Sequence, residues 1–175
     1  MELMKVRQDQ WNAIKEIYME AFPKRERKPF FLLKSKKVEI FTAVDKGRLL
    51  GFTAVIPLEN LVMVDYLAVN SKIRSQGTGG FIMRSLCEMY RDKKIVLLIE
   101  KVEDTAENKG QRIARRRFYI KNGFTTSGLF VNGVSGTMEI LNYGGYVQEK
   151  EYLQLQKHAL GKWMFKLSHM KLVSA

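Results

Sequence analysis

The sequence predicts an α/β fold, a mixed sheet flanked by helices in the order β-α-α-β-β-β-α-β-α-β-β with an additional C-terminal helix. Three observations lead there. Two β-branched, apolar runs at 39–44 and 49–56 flank Asp45-Lys46-Gly47-Arg48, a hairpin signal. A further run at 61–69 leads through a glycine-rich turn into a helical pattern at 80–91, then into five apolar residues at 95–99. Strand, helix and strand in that order imply a right-handed parallel crossover. Amphipathic helical spacing recurs near both ends of the chain.

Taken in order, residues 3–7 read as a short first strand. Asp9 is placed to cap a helix in which Trp11, Ile14, Ile17, Tyr18, Ala21 and Phe22 recur near helical spacing, and Pro23 stops it. Residues 24–37 are basic at both ends around Pro29-Phe30-Phe31-Leu32-Leu33, and read as a loop plus a short second helix. After the hairpin and the crossover, a helix at 111–121 ends at Asn122-Gly123, which supplies a left-handed C-cap. Residues 130–141 give two short strands around Asn132-Gly133. In the tail, 146–171, Leu153, Leu160, Met164 and Leu167 share one helical face with Leu155 and Trp163 beside it. That helix is expected to pack on the domain or on a second copy, so a homodimer is compatible with the sequence. No repeat, low-complexity run or linker divides the chain.

With 175 residues the chain fits one domain of ordinary size. Thirty Lys and Arg against 18 Asp and Glu give a formal charge of +12, which favours anionic partners but does not choose among nucleic acid, acidic membrane and a phosphorylated cosubstrate. The single cysteine, Cys87, excludes an intramolecular disulfide and a Cys-rich zinc site, and suits a reducing compartment, with cytoplasm as the expectation. The N-terminal residues lack the apolar core of a signal peptide, and no apolar run approaches the ~20 residues of a membrane helix. His158 and His169 are isolated and lack metal-ligand spacing, so no metal is expected. Cys87 lies on the apolar side of its helix, with no histidine placed to activate it.

Arg74-Ser75-Gln76-Gly77-Thr78-Gly79-Gly80 sits between a strand and a helix. Unpaired N–H groups at the helix start favour an anion there, glycines let the backbone approach it, and Arg74 can add a charge-assisted contact. A strand-to-helix turn can also be glycine-rich for its geometry alone. A P-loop would need Gly-Lys-Ser/Thr, whereas Gly80 is followed by Phe81 and Ile82. A dinucleotide fingerprint would follow the first strand, whereas this turn lies mid-chain.

The residues fit R/Q-x-x-G-x-G/A, filled by Arg74-Ser75-Gln76-Gly77-Thr78-Gly79, and here the chain resembles the GNAT superfamily of N-acetyltransferases at its acetyl-CoA pyrophosphate loop. Asp65-Tyr66-Leu67-Ala68-Val69 looks like the family's fourth strand, and Phe118-Tyr119-Ile120-Lys121-Asn122-Gly123-Phe124 is similar to its F-Y-x-x-x-G-F signature. The resemblance implies a GNAT domain over 1–143 with a helical extension over 144–175. It further implies that acetyl-CoA pairs its pantetheine arm with the backbone of Leu67, Ala68 and Val69, where the fourth and fifth strands splay apart. Its pyrophosphate would lie on the amides from Gln76 to Gly80. No magnesium site is then needed, which accounts for the missing Lys-Ser pair.

Acetyl transfer from a thioester to an amine needs a neutral amine, a donor for the oxyanion and a proton for the departing thiolate. The resemblance gives the oxyanion to a backbone N–H near Leu67 or Ala68 and the proton to Tyr119. Read without it, an aromatic four residues before a helix-ending glycine can simply pack on the sheet. Glu100, at the end of the fifth strand, is the first choice for the base, with Asp65 and Glu103 as competitors. Arg112, Arg115, Arg116 and Arg117 crowd the helix before Tyr119, and a solvated basic face explains some of them. The family often has an Asn near one or two turns before the tyrosine; here position 112 is Arg and Asn108 lies further upstream. Lys72, Arg74 or one of these arginines could meet the cosubstrate's phosphates instead.

The expected function is therefore acetyl-CoA-dependent N-acetyl transfer to a primary amine, with a small-molecule or peptide acceptor bound around residues 22–33 and the last strands. The alternative is a catalytically inactive GNAT-like or basic protein that binds nucleic acid or another anionic surface. Lys and Arg are spread along the chain with no RNA-binding aromatic signature, which disfavours nucleic acid as the partner.

Overall fold

The computed structural model describes residues 1–73, 77–133, 136–167 and 171–174. Its elements are β1 Glu2–Lys5, α1 Trp11–Ala21, β2 Glu39–Asp45, β3 Arg48–Leu58, β4 Leu61–Val69, α2 Thr78–Met89, β5 Lys94–Glu100, α3 Lys109–Lys121, β6 Thr125–Gly133, β7 Gly136–Tyr143, α4 Glu149–Leu160, α5 Lys162–Leu167 and β8 Lys171–Ser174. This is the mixed α/β class read from the sequence. The chain forms two compact units, Met1–Pro57 with Val64–Met89, and Leu58–Met63 with Tyr90–Ala175. No helix among the described residues is long and apolar enough to cross a membrane.

In the first unit the strand order is β1-β2-β3-β4. The β2–β3 hairpin closes over Lys46 and Gly47, at φ +47° and +77°, which the Asp-Lys-Gly-Arg spelling permits because Gly carries no Cβ. Ile14, Ile17 and Tyr18 recur at helical spacing, so α1 buries one stripe in a core with Leu33, Ile40, Phe52, Ala54, Tyr66 and Ala68. Each buried Ile, Leu or Phe among them stabilises the fold by about 1.5–3 kcal/mol. Asp9 does not cap α1: its carboxylate takes the Arg7 guanidinium at 3.0 and 3.1 Å, while Gln10 Oε1 accepts the Arg7 N–H at 2.8 Å in a preceding 3-10 turn. The expected second helix is also corrected. Residues 24–37 hold two 3-10 turns, Lys24–Glu26 and Phe30–Lys34, each entered from a proline whose fixed φ sets the turn. Tyr18 ties the connecting loop down, its hydroxyl donating to the Lys28 carbonyl at 3.0 Å.

In the second unit the order is β5-β7-β6-β8, with antiparallel pairs throughout. Ile95, Val96, Leu97 and Ile99 of β5 are buried, as a continuous apolar run requires. β6 starts five residues before the expected 130, because a bulge interrupts its pairing with β7 between Thr126 and Phe130. Ser127 replaces the lost ladder bonds, donating through Oγ to the Ile140 carbonyl at 2.8 Å and accepting the Leu129 N–H at 3.1 Å.

The tail departs most from expectation. A single helix does not run through it: α4 ends at Gly161, at φ +78°, and the chain finishes in β8, which pairs with β6. The face that α4 buries is Tyr152, Leu155 and Gln156 rather than Leu153 and Leu160. Gln156 is buried at no cost in unpaired groups because its Nε2 donates to the Tyr152 hydroxyl at 2.8 Å. The α4 start is fixed by Glu151, which accepts the Gln148 N–H at 2.8 Å and pairs with Lys94 at 2.8 Å. Met164 is exposed, and the Trp163 and Leu167 side chains lie outside the described residues.

Candidate active site

The first unit carries the strand-turn-helix segment. β4 presents Leu67, Ala68 and Val69 at its end, with Ala68 buried and its two neighbours half-buried. Beside it, Gly51 of β3 lies so close that a Cβ there would sit 2.5 Å from the Ala68 carbonyl oxygen, so only glycine fits. Thr53 Oγ1 also donates to the Tyr66 carbonyl at 2.9 Å and fixes the same stretch. Arg74, Ser75 and Gln76 lie outside the described residues. Gly77 has φ +82° with open space where a side chain would be. Its carbonyl accepts the first bond of α2, from the Phe81 N–H at 2.9 Å. The N–H groups of Thr78, Gly79 and Gly80 therefore precede the helical ladder, and two of those residues have no side chain to cover them. Thr78 is buried. An arrangement of this kind fits a phosphate.

Asp65, a competing base by sequence, is committed to the ammonium of Lys28, which donates to its two oxygens at 2.7 and 2.8 Å. The adjacent Tyr66 hydroxyl accepts the Lys28 N–H at 3.1 Å and donates to the Glu26 carbonyl at 3.0 Å. The loop expected to meet the acceptor is thus strapped to β4. Phe31 and Leu32 on that loop are exposed.

The second unit carries Tyr119 and Glu100. Tyr119 is half-buried on α3, edge-on to Phe118 at 5.1 Å and to Phe124 at 5.8 Å between ring centres. Its carbonyl accepts the N–H groups of Asn122 and Phe124 at 3.0 and 3.1 Å, and Gly123 at φ +87° provides the left-handed C-cap read from the sequence. Its hydroxyl makes no hydrogen bond among the described residues. Burial pushes the phenol up to about 12, while the Arg115 charge acts the other way, so the hydroxyl carries its proton at neutral pH.

Glu100 is buried at 8% exposure and fully engaged. Arg115 Nη1 donates to its Oε2 at 2.7 Å, Arg112 Nη2 lies 3.2 Å from Oε1, and Asn108 Nδ2 is 3.3 Å from each oxygen. Burial alone would raise this carboxyl, but the hydrogen bonds from Arg115 and Asn108 and the two guanidinium charges hold it below the usual carboxylate range. Arg112 also reaches the Asn108 side-chain oxygen at 2.8 Å, the Lys101 carbonyl at 2.7 Å and Glu103 at 3.5 Å. Arg116 pairs with buried Glu139 at 2.9 and 3.2 Å. The arginine run is thus mostly an ion-paired stripe: of its two exposed members Arg115 is paired with Glu100, and only Arg117 has no ion pair among the described residues. The contacts of Asn108 with Glu100, of Glu139 with Arg116 and of Gly51 with Ala68 were not read from the sequence. Only the 3- and 4-residue spacing of Arg112, Arg115, Arg116 and Tyr119 hinted at a shared face. Among the described residues no three His, Cys, Asp or Glu side chains are grouped as metal ligands.

A family model, the acetyltransferase (GNAT) domain, matches residues 36–126, which span both the glycine turn and the Tyr119 signature. The chain belongs to the GNAT acetyltransferase family. No curated protein sequence matches this acetyltransferase. Among solved structures it is similar to a putative GNAT-family acetyltransferase from Bacteroides thetaiotaomicron, with TM-score 0.73 and 20% identity over 90% of this chain and 96% of that one. An aminoglycoside 6'-N-acetyltransferase from Enterococcus faecium aligns with TM-score 0.64 and 15% identity over 81% of this chain and 96% of that one. A Bacillus subtilis acetyltransferase in complex with CoA aligns with TM-score 0.63 and 13% identity over 81% and 96%. At these identities the likeness bears on the fold of this GNAT acetyltransferase.

Proposed function

We propose that the protein is an N-acetyltransferase that moves the acetyl group of acetyl-CoA to a primary amine by direct attack on the thioester. The observation that carries this reading is Tyr119: a protonated phenol, with no hydrogen bond of its own among the described residues, on the helix that completes the family's F-Y-x-x-x-G-F signature. The amine nitrogen bonds to the thioester carbonyl carbon, the C–S bond breaks, and Tyr119 gives its proton to the departing sulfur. The proton released by the amine passes to solvent, from which the phenolate recovers its own. A general acid of this kind contributes about 10²–10⁴-fold to rate.

In the same proposal the amides of Thr78, Gly79 and Gly80, continued by Gln76, Ser75 and Arg74, hold the cosubstrate's pyrophosphate, and the Leu67–Val69 backbone pairs with its pantetheine. Residues 1–143 form the catalytic domain and 144–175 its extension. The acceptor is a small-molecule or peptide amine; the aminoglycoside named for the Enterococcus faecium relative is one chemistry to include in a screen. Buried Cys87 fits a reducing compartment, and we place the reaction in the cytoplasm. The basic-binder reading loses support because Arg112, Arg115 and Arg116 are paired with Glu100, Glu103 and Glu139.

Release of free CoA, followed across a panel of primary amines with acetyl-CoA in excess, tests the reading. Amine-dependent, saturable release is expected. Absence of saturable acetyl-CoA binding, together with salt-sensitive binding to DNA or RNA, would replace it with the binding-protein reading.

A further inference from the structure

We propose that Glu100 is a positioning residue, acting on Tyr119 through Arg112 and Arg115, and does not itself accept the amine's proton. The proposal rests on Tyr119 being the acid.

Helix α3 has no buried residue. Most helices in a folded unit are held by an apolar stripe; here Ile113, Phe118 and Tyr119 are only half-buried, and the ion pairs add to their hold. Arg112, Arg115, Arg116 and Tyr119 stand at i, i+3, i+4 and i+7, so they share one face, the face that carries the ion pairs. Among the described residues the Tyr119 hydroxyl has no hydrogen bond to locate it, and its position is inherited from the helix. At the C-terminal end the helix is fixed by the Asn122-Gly123 cap. Towards the N-terminal end it is fixed by Glu100, whose two oxygens take Arg112, Arg115 and Asn108, with Arg112 also bound to the Lys101 carbonyl.

A proton acceptor at Glu100 would have to bind its proton in the presence of two guanidinium groups that favour the charged carboxylate. The same contacts make it a good anchor, because charge-assisted bonds from planar guanidinium groups define orientation as well as attraction. Arg115 lies one turn before Tyr119, and its charge also acts on the phenol. The pair therefore links a buried strand-end carboxylate to the reacting hydroxyl by way of one helical turn.

The test is steady-state kinetics on Glu100→Gln and Arg115→Gln, each alone and combined with Tyr119→Phe, with a pH–rate profile for Glu100→Gln. Either single change is expected to lower kcat about tenfold with KM for acetyl-CoA nearly unchanged, and Arg115→Lys to restore part of it. Combined with Tyr119→Phe, neither is expected to cost more than about twofold further, since the group they position is already gone. A full additional loss in the Tyr119→Phe background, or the disappearance of the ascending limb of the pH profile in Glu100→Gln, would overturn the proposal and make Glu100 the base. Should Glu100→Gln fail to fold, half-exposed Arg115 carries the same comparison. Tyr119→Phe alone at full rate would remove the acid role and this proposal together, whereas a slow Tyr119→Phe with additive losses would remove only the latter.

Discussion

Arg116 holds the carboxylate of Glu139 with two bonds, Nε at 2.9 Å and Nη2 at 3.2 Å, and so fastens α3 to β7. Glu139 is 5% exposed, and Arg116 is the cation paired with it among the described residues. Arg116→Ala leaves a buried, unpaired carboxylate and should cost about 3 kcal/mol. In a chain of this length the expected fall in Tm is about 10 °C, readable by thermal denaturation. A fall below about 2 °C would mean that α3 is held by other contacts.

Glu100 should leave a mark on acid stability. Its folded carboxyl is held below the ordinary range, so the native state binds fewer protons than the unfolded chain as pH drops. Its contribution is complete above the ordinary glutamate value of about 4.3 and is lost as pH falls through the lower folded value. Urea unfolding of the native protein and of Glu100→Gln between about pH 3 and 6 measures this. The difference between them should shrink towards acid; a constant difference would deny the ion pairs a stabilising role.

Much of this arrangement was legible in the sequence, for reasons that are local. Lys46 and Gly47 spell a two-residue hairpin, Gly123 spells a left-handed cap, and the apolar run from Ile95 to Ile99 spells a buried strand. What could not be read depends on partners far along the chain. The arginines of α3 look like a solvated face until Glu139 is brought beside Arg116. Gln156 looks exposed until the Met63 sulfur is brought to its Nε2, at 3.3 Å. The start of β6 was hidden because Thr125, Thr126, Ser127 and Gly128 read as a loop, which is how a bulge carried by a serine side chain reads.

Gly51 offers a steric test of the β4 segment. An alanine there would meet the Ala68 carbonyl oxygen at 2.5 Å, a backbone atom that can yield only if the strand shifts. Gly51→Ala is expected to cost about 1–3 kcal/mol and to weaken acetyl-CoA binding in a calorimetric titration. Loss of stability with unchanged acetyl-CoA affinity would separate the Leu67–Val69 backbone from the cosubstrate.

Gly77 offers a conformational one. At φ +82° with open space around it, Gly77→Ala introduces no clash and about 1–2 kcal/mol of backbone strain. Gly77→Asn, which tolerates the left-handed region better, should be milder. Both should raise KM for acetyl-CoA in that order, with kcat much less affected. An effect on kcat alone would place the turn away from the phosphates.

Tyr119→Phe, assayed by CoA release with the best acceptor of the amine panel, bears most directly on the proposed chemistry. It should lower kcat by about 10² or more while leaving KM for acetyl-CoA within about twofold. The native rate should show no descending limb from this phenol until pH nears about 12. A Tyr119→Phe enzyme that turns over at the native rate would contradict the assignment of Tyr119 as the proton donor.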